Sequence, residues 1–240
     1  MFLKKIIKDE LAFISLLFPC QKGVSVLMYH SIAHNDVFFT VKPEMFEKQM
    51  KYLKDKDYNV IKLSDLISLL ESNEELPKKT VVLTFDDGYQ DNYNNAFLIL
   101  KKYNFPATIF LVTGLVNREI NNSQNIPLKI LNWEQIKEMH QSGLIDFQPH
   151  TVNHQELNKQ EIIDSKKEIE ERLNKKCEFF TYPRGVYNDK IIDILKNNGF
   201  RAAWTVENGR IKKDDNLFKL KRISVNSTTS FIQFKVKIKA

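Results

Sequence analysis

T-V-V-L-T-F-D-D-G-Y-Q, residues 80–90, is the stretch from which the fold is read. Val81, Val82, Leu83 and Phe85 make a short apolar run rich in β-branched and aromatic residues, which predicts a buried strand ended by Gly88. Asp86 and Asp87 therefore stand where a core strand gives way to a loop. Neighbouring residues leaving a strand point different ways, so one carboxylate can face a metal while the other faces a bound water. Two adjacent anions are costly to bury unless a cation or donors meet them. Taken alone, Asp-Asp-Gly reads first as a turn capping the helix that follows, and residues further along decide between the two readings.

Working outward, residues 23–30, G-V-S-V-L-M-Y-H, form a second apolar strand with His30 at its C-terminal tip. Further strands are expected at 58–61, 107–112, 144–148 (running into Pro149-His150), 179–182 (ending at Pro183), 201–206 and 220–225. Helices are expected at 43–57, where Phe46, Met50 and Leu53 recur at helical spacing, from a Ser64 cap through Leu70, and over about 89–103 with Ala96, Phe97 and Leu100 inward. Asn132 and Gln135 resemble a capping box that opens a helix to Gln141, stopped by Gly143. Residues 159–175 and 189–198 are helical, the second stopped by Gly199. Lys235, Lys237 and Lys239 alternate with Val236 and Ile238, a pattern suited to a lysine-protected edge strand. Residues 113–130 turn polar and read as a surface loop or insertion suited to substrate contacts. Short strands alternating with helices imply parallel pairing with right-handed crossovers, hence an α/β barrel or an open doubly wound sheet. In either, ligands sit at the C-terminal ends of strands, where His30, Asp86, Asp87, His150 and Pro183 all fall.

A chain of 240 residues can hold one large barrel domain, and 42% hydrophobic with 28% charged residues is ordinary for a soluble globular protein. The net charge of +6 would suit an anionic partner, but the lysines are scattered among acids along the helices, which argues against a nucleic-acid groove. Cys20 and Cys177 lack metal-type spacing and read as reduced structural thiols. Residues 1–22 are read as an N-terminal amphipathic helix. Asp9 and Glu10 interrupt the approach to the apolar run 11–18, Pro19-Cys20 is a poor cleavage site, and the run is too short to span a bilayer. A lysine-flanked helix of this kind either packs on the domain or lies on a membrane surface. The expected location is cytoplasmic, at a membrane surface if the helix is an anchor.

His150-Thr-Val-Asn-His154 places two imidazoles four residues apart, so both can reach one cation. With a strand-end aspartate the set becomes two nitrogens and a carboxylate, which leaves positions open for water and substrate and fits a catalytic divalent ion. His34 and His140 are read as surface residues.

T-F-D-D-G at 84–88 followed by H-T-V-N-H at 150–154 resembles the metal-dependent polysaccharide deacetylase family, the NodB-homology domain, over about residues 24–225. The resemblance implies a distorted (β/α) barrel, here residues 23–240, that removes acetyl groups from acetylated sugars. It implies Asp87, His150 and His154 as ligands of a divalent ion, zinc first and iron, cobalt or nickel as alternatives, and Asp86 as general base. A backbone N–H at Tyr182 or its neighbours would hold the oxyanion. Many members carry a general acid in a C-terminal Leu-x-x-His motif, yet no histidine follows His154, and 220–225 read L-K-R-I-S-V. V-L-M-Y-H-S-I at 26–32 resembles instead the subgroup acting on poly-N-acetylglucosamine, which implies His30 as the acid. F-T-Y-P-R-G at 180–185 departs from the usual Arg-Pro-Pro-Tyr-Gly: the arginine that orients the catalytic aspartate aligns with Thr181, and Arg184 stands in place of an aromatic, free to bind an anionic substrate group or to pair with a surface acid. Trp204 is either a wall of the acetyl pocket or a core tryptophan. The implied substrate is an acetylated glycan or a lipid- or nucleotide-linked precursor, with a non-sugar amidase and a non-catalytic carbohydrate-binding protein as alternatives.

Overall fold

The run at 80–87 folds as a strand, and the other strands array beside it. A computed structural model describes residues 2–16, 18, 22–72, 74–122 and 124–239, so Cys20 lies outside the described residues. In chain order the strands are β1 (Ser25–Tyr29), β2 (Ser31–Ile32), β3 (Thr40–Val41), β4 (Asn59–Val60), β5 (Thr80–Asp87), β6 (Ala107–Leu111), β7 (Glu119–Asn121), β8 (Pro127–Lys129), β9 (Ile145–Pro149), β10 (Phe179–Thr181), β11 (Ala202–Asn208) and β12 (Leu220–Ser224). The helices are α1 (Phe2–Ser15), α2 (Pro43–Asp55), α3 (Leu63–Glu71), α4 (Leu98–Tyr103), α5 (Trp133–Gln141), α6 (Lys159–Leu173), α7 (Asp189–Asn197) and α8 (Phe231–Ile238). One parallel sheet runs β10-β11-β12-β1-β5-β6-β9, with β4 also pairing β5. This is the expected (β/α) barrel, nearly closed and ringed by helices.

The two-residue period of the strands sorts the side chains into two layers. Leu27, Leu83, Phe85, Ile109 and Phe147 point outward and pack against Phe46, Met50 and Leu53 of α2 and residues of the other outer helices. Val26, Val82, Phe110, Phe179, Trp204 and Leu220 point into the barrel. Leu63, Leu66, Ile67 and Leu70 of α3 join that inner cluster and close its N-terminal mouth, so α3 is a plug where the other helices form the outer ring.

The ladder does not continue from β9 to β10, and side chains close the seam. Gln148 Oε1 accepts from the backbone N–H groups of Glu178 (3.1 Å) and Phe179 (3.0 Å), while its Nε2 donates to Asp146 (2.7 Å). Lys175 Nζ donates to the Phe147 carbonyl (2.6 Å). A buried side-chain amide thus supplies the acceptor that a β9–β10 ladder would have given.

Several elements differ from the sequence expectation. Residues 235–239 do not form an edge strand: α8 is a helix capped by Ser230, whose side chain accepts from the Gln233 N–H, with Phe234 and Ile238 on the core side. Ser230 and a four-residue apolar repeat outweigh the short lysine alternation. The polar segment contains a short antiparallel hairpin, β7 with β8. The helix after Gly88 begins as a π-helix, Asn92–Phe97, before α4. α3 starts at Leu63, ahead of Ser64, with Asp65 accepting from the Lys62 N–H at 3.3 Å. The Asn132–Gln135 capping box forms reciprocally, at 2.8 and 3.1 Å.

Helix α1 packs on α8. Asp9 accepts from Ser230 Oγ (2.5 Å) and Gln233 Nε2 (2.8 Å), and Lys239 Nζ donates to the carbonyls of Leu16 and Phe18. No described helix is long and apolar enough to cross a membrane.

Replacing Gln148 with Ala would orphan the buried Phe179 N–H and the half-buried Glu178 N–H, and we expect a loss of about 2–4 kcal/mol in denaturant unfolding. A loss under 0.5 kcal/mol would show that the seam does not depend on it.

Candidate active site

The barrel brings the strand ends together. Asp87 Oδ1 lies 3.6 Å from His154 Nε2 and 3.7 Å from His150 Nε2, and the two imidazoles meet at 4.9 Å between ring centroids. One ligand atom from each of the three residues falls within a 4.8 Å span, so a single cation can reach all of them. The donor set fits a divalent ion of borderline softness.

Each donor is aimed by its surroundings. His150 is buried, and its Nδ1 sits 2.8 Å from the Thr181 carbonyl and 2.6 Å from the Thr181 hydroxyl. Nδ1 donating to that carbonyl leaves the Nε2 lone pair facing Asp87. Burial lowers the imidazole pKa, outweighing the upward pull of Asp86 and Asp87, so the ring is held neutral as a ligand must be. His154 closes the turn after β9, with its N–H donating to Thr151 Oγ1 at 2.9 Å. Glu161, in the first turn of α6, accepts from the N–H groups of Val152 (3.1 Å) and Asn153 (2.8 Å) and from Asn153 Nδ2 (2.7 Å). Gly114 packs on the same turn: a Cβ there would lie 2.6 Å from the Val152 carbonyl oxygen.

Asp87 leaves its strand with φ +73°, Thr151 has +69° and His154 +55°. Non-glycine residues held in the left-handed region cost energy and concentrate where function demands the geometry.

Asp86 points into the barrel, where Arg222 of β12 grips it. Nη1 and Nη2 each donate to one carboxylate oxygen at 2.7 Å, and Nε donates to the Thr205 carbonyl at 3.1 Å. Burial alone would push the Asp86 carboxyl up, but the Arg222 charge and its hydrogen bonds reverse this and bring it down to about 2. The arginine that orients the aspartate therefore comes from β12. Thr181 orients His150 instead.

His30 follows β1, one residue beyond the pair Tyr29–Phe85, so the register sets it beside Asp86. Its ring lies 5.4 Å from that of Phe39, which stacks at 5.4 Å on Tyr89. Tyr89 is buried near the Asp87 carboxylate. Burial first, then the Asp87 charge, drive its pKa far above the usual range, so it stays a donor. The loop carrying Phe39 is fixed by Asp91, which accepts from Ser31 Oγ and the Ile32 N–H, both at 2.7 Å. Burial raises the Asp91 carboxyl to about 6 against those two bonds.

One substrate assignment is corrected and one alternative is resolved. Tyr182 falls on the outward side of β10: its hydroxyl donates to the Phe218 carbonyl at 2.9 Å and its N–H to the Trp204 carbonyl at 3.1 Å, so neither faces the site. Trp204 is fully buried in the barrel interior, against Phe110 and Phe179, and is the core tryptophan. Arg184 is exposed on the turn after β10 with φ +56°. His34 is exposed near Glu44, and His140 is half-buried on α5.

With three donors on one point beside a clamped carboxylate, the match of residues 73–203 to the polysaccharide deacetylase family decides the identity. The chain belongs to the polysaccharide deacetylase family. A poly-β-1,6-N-acetyl-D-glucosamine N-deacetylase of Staphylococcus epidermidis is 32% identical over 204 residues, covering 79% of this chain and 69% of that protein. The Streptococcus pyogenes deacetylase PplD, solved with acetate, superposes with TM-score 0.80 at 31% identity over 91% of this chain and 99% of that one. IcaB from Ammonifex degensii superposes with TM-score 0.82 at 25% identity, covering 92% and 99%. This family member thus shares the barrel of solved deacetylases along nearly its whole length.

Arg222→Met would leave a buried carboxylate without its partner, at a cost of about 3–5 kcal/mol at pH 7. The folded Asp86 pKa lies below its unfolded value, so the pair's contribution is full above pH 4 and fades as pH falls toward 2. Without Arg222, burial raises the Asp86 carboxyl in the folded variant, so its deficit in denaturant unfolding should shrink steadily as pH falls from that raised value toward 2. A pH-independent deficit would refute the electrostatic account.

Proposed function

We propose that the protein is a metal-dependent carbohydrate N-deacetylase acting on an N-acetylated glucosamine-type glycan or its lipid- or nucleotide-linked precursor. The observation that carries this reading is the convergence of Asp87, His150 and His154 beside an Asp86 held ionised by Arg222. Asp87, His150 and His154 would hold a divalent ion, zinc before iron, cobalt or nickel, and that ion would supply a lowered water pKa and polarisation of the acetyl carbonyl.

Asp86 takes the proton of the water as its oxygen bonds the acetyl carbon. Arg222 keeps Asp86 ionised throughout the working pH range and fixes its direction, at the expense of proton affinity. His30 gives a proton to the amide nitrogen as the carbon–nitrogen bond breaks, releasing acetate and the sugar amine. The name carried by the staphylococcal relative and the segment 26–32 support glucosamine as the sugar.

Asp86→Asn should keep the metal content of wild type, read by elemental analysis, while acetate release from acetylated oligosaccharide falls about 10²–10⁴-fold. His154→Ala should lose both. Near-normal turnover in Asp86→Asn would remove the base assignment.

We also propose that α1 rests on an anionic membrane surface. Leu11 (59% exposed), Phe13, Ile14 and Phe18 present apolar surface to solvent beside the exposed Lys8 and Lys22. Wild type should co-sediment with phosphatidylglycerol vesicles, and Leu11→Glu with Phe13→Glu should abolish it. Equal recovery of both proteins with the vesicles would defeat this proposal.

A further inference from the structure

Residues 37–40 carry two adjacent aromatic side chains that go opposite ways. Phe39 turns in and lies between the rings of His30 and Tyr89, 5.4 Å from each. Phe38 turns out and is 63% exposed, although an aromatic ring in water forfeits the burial that favours folding. Its backbone is nonetheless pinned: the Phe38 carbonyl accepts from both the N–H (3.1 Å) and the hydroxyl (2.8 Å) of Ser227, on the loop that follows β12. The loop is held from below as well, because Thr40 Oγ1 donates to Ser31 Oγ, which in turn donates to Asp91. An open aromatic face is thus presented on a fixed backbone, one residue from the ring that braces His30.

We infer that Phe38 is a sugar-binding subsite: a pyranose ring neighbouring the one deacetylated lays its apolar C–H face on the Phe38 ring. The inference rests on the deacetylase reading and narrows it to substrates of at least two sugars. Pyranoses present hydroxyls at their edges and C–H groups on their faces, so an aromatic platform binds the face while solvent keeps the edge. The chain segment fits a platform better than a hydrophobic docking patch, since Phe39 beside it is turned inward and Asp36 and His34 nearby are exposed and polar.

The test uses the full chain and measures binding apart from catalysis. Titrate metal-free protein with the fully deacetylated β-1,6-glucosamine tetramer and with glucosamine itself. Phe38→Ala should weaken the tetramer about tenfold, and the tetramer-over-glucosamine preference should shrink by the same factor. Phe38→Trp should restore affinity, and its added indole should change fluorescence on saturation, because Trp133 and Trp204 are buried. Leu98→Ala, on the outer helix α4, removes a comparably exposed apolar side chain to which no role is assigned and should bind as wild type. Unchanged tetramer affinity in Phe38→Ala, or an indole in Phe38→Trp that does not respond to the tetramer, overturns the subsite. Metal-loaded wild type that binds the tetramer through Phe38 but releases no acetate from any acetylated glycan would instead refute the deacetylase reading and leave the subsite standing.

Discussion

The buried pair of Asp86 and Arg222 is the constraint on which the site depends. Both groups are buried, and each would be expensive to hold there without the other. The fork of the guanidinium fixes the carboxylate plane with two bonds, and a third donor on the Thr205 carbonyl fixes the fork. The direction of Asp87 follows. Consecutive side chains leave a strand on opposite sides, so binding Asp86 toward β12 leaves Asp87 to turn toward His150 and His154. The positive φ of Asp87 completes that turn.

Strain on the histidine side is matched by local restraint. Left-handed backbone at Asp87, Thr151 and His154 costs on the order of 1–3 kcal/mol at each residue. Glu161 offsets part of this through its three accepted bonds, with its charge in the first turn of α6, where the helix dipole favours an anion. Gly114 is the complementary device: its N–H donates to the Val152 carbonyl at 2.8 Å, an approach that a side chain would obstruct. The metal-type donors are thus set by helix α6 and the loop after β6 as much as by the strands that carry them.

Much of this was legible in the residues themselves, for identifiable reasons. Strand-end positions of Asp86, Asp87, His30 and His150 follow from local apolar runs, and the histidine pair is four residues apart, so short-range pattern is enough. Arg222 was not found because its partner is 136 residues away. The signal was present all the same: in L-K-R-I-S-V the period of two places Arg222 on the side of Leu220, facing inward, and an arginine inside a barrel requires a buried anion. The same counting would have sent Tyr182 outward with Phe180. Trp204 stays open in the sequence because tryptophan serves equally in a pocket wall and a core, and only the closure of the barrel around Phe110 and Phe179 separates the two. The helix at 231–238 is masked in the sequence by three lysines at alternate positions, two of which, Lys235 and Lys237, fall in its last turn.

The sheet order gives the last step. β1 lies between β12 and β5, so the first and last strands of the barrel meet beside the strand that bears the two aspartates. His30 enters from one and Arg222 from the other. Before β12 is in place, Asp86 would face Phe110 and the apolar interior with no cation, and its carboxyl would then be pushed up by burial rather than held down. The ionised state of Asp86 is consequently a property of the assembled barrel, not of the T-F-D-D-G segment. A site that reads as local in the chain is electrostatically complete only when the C-terminal strand has docked.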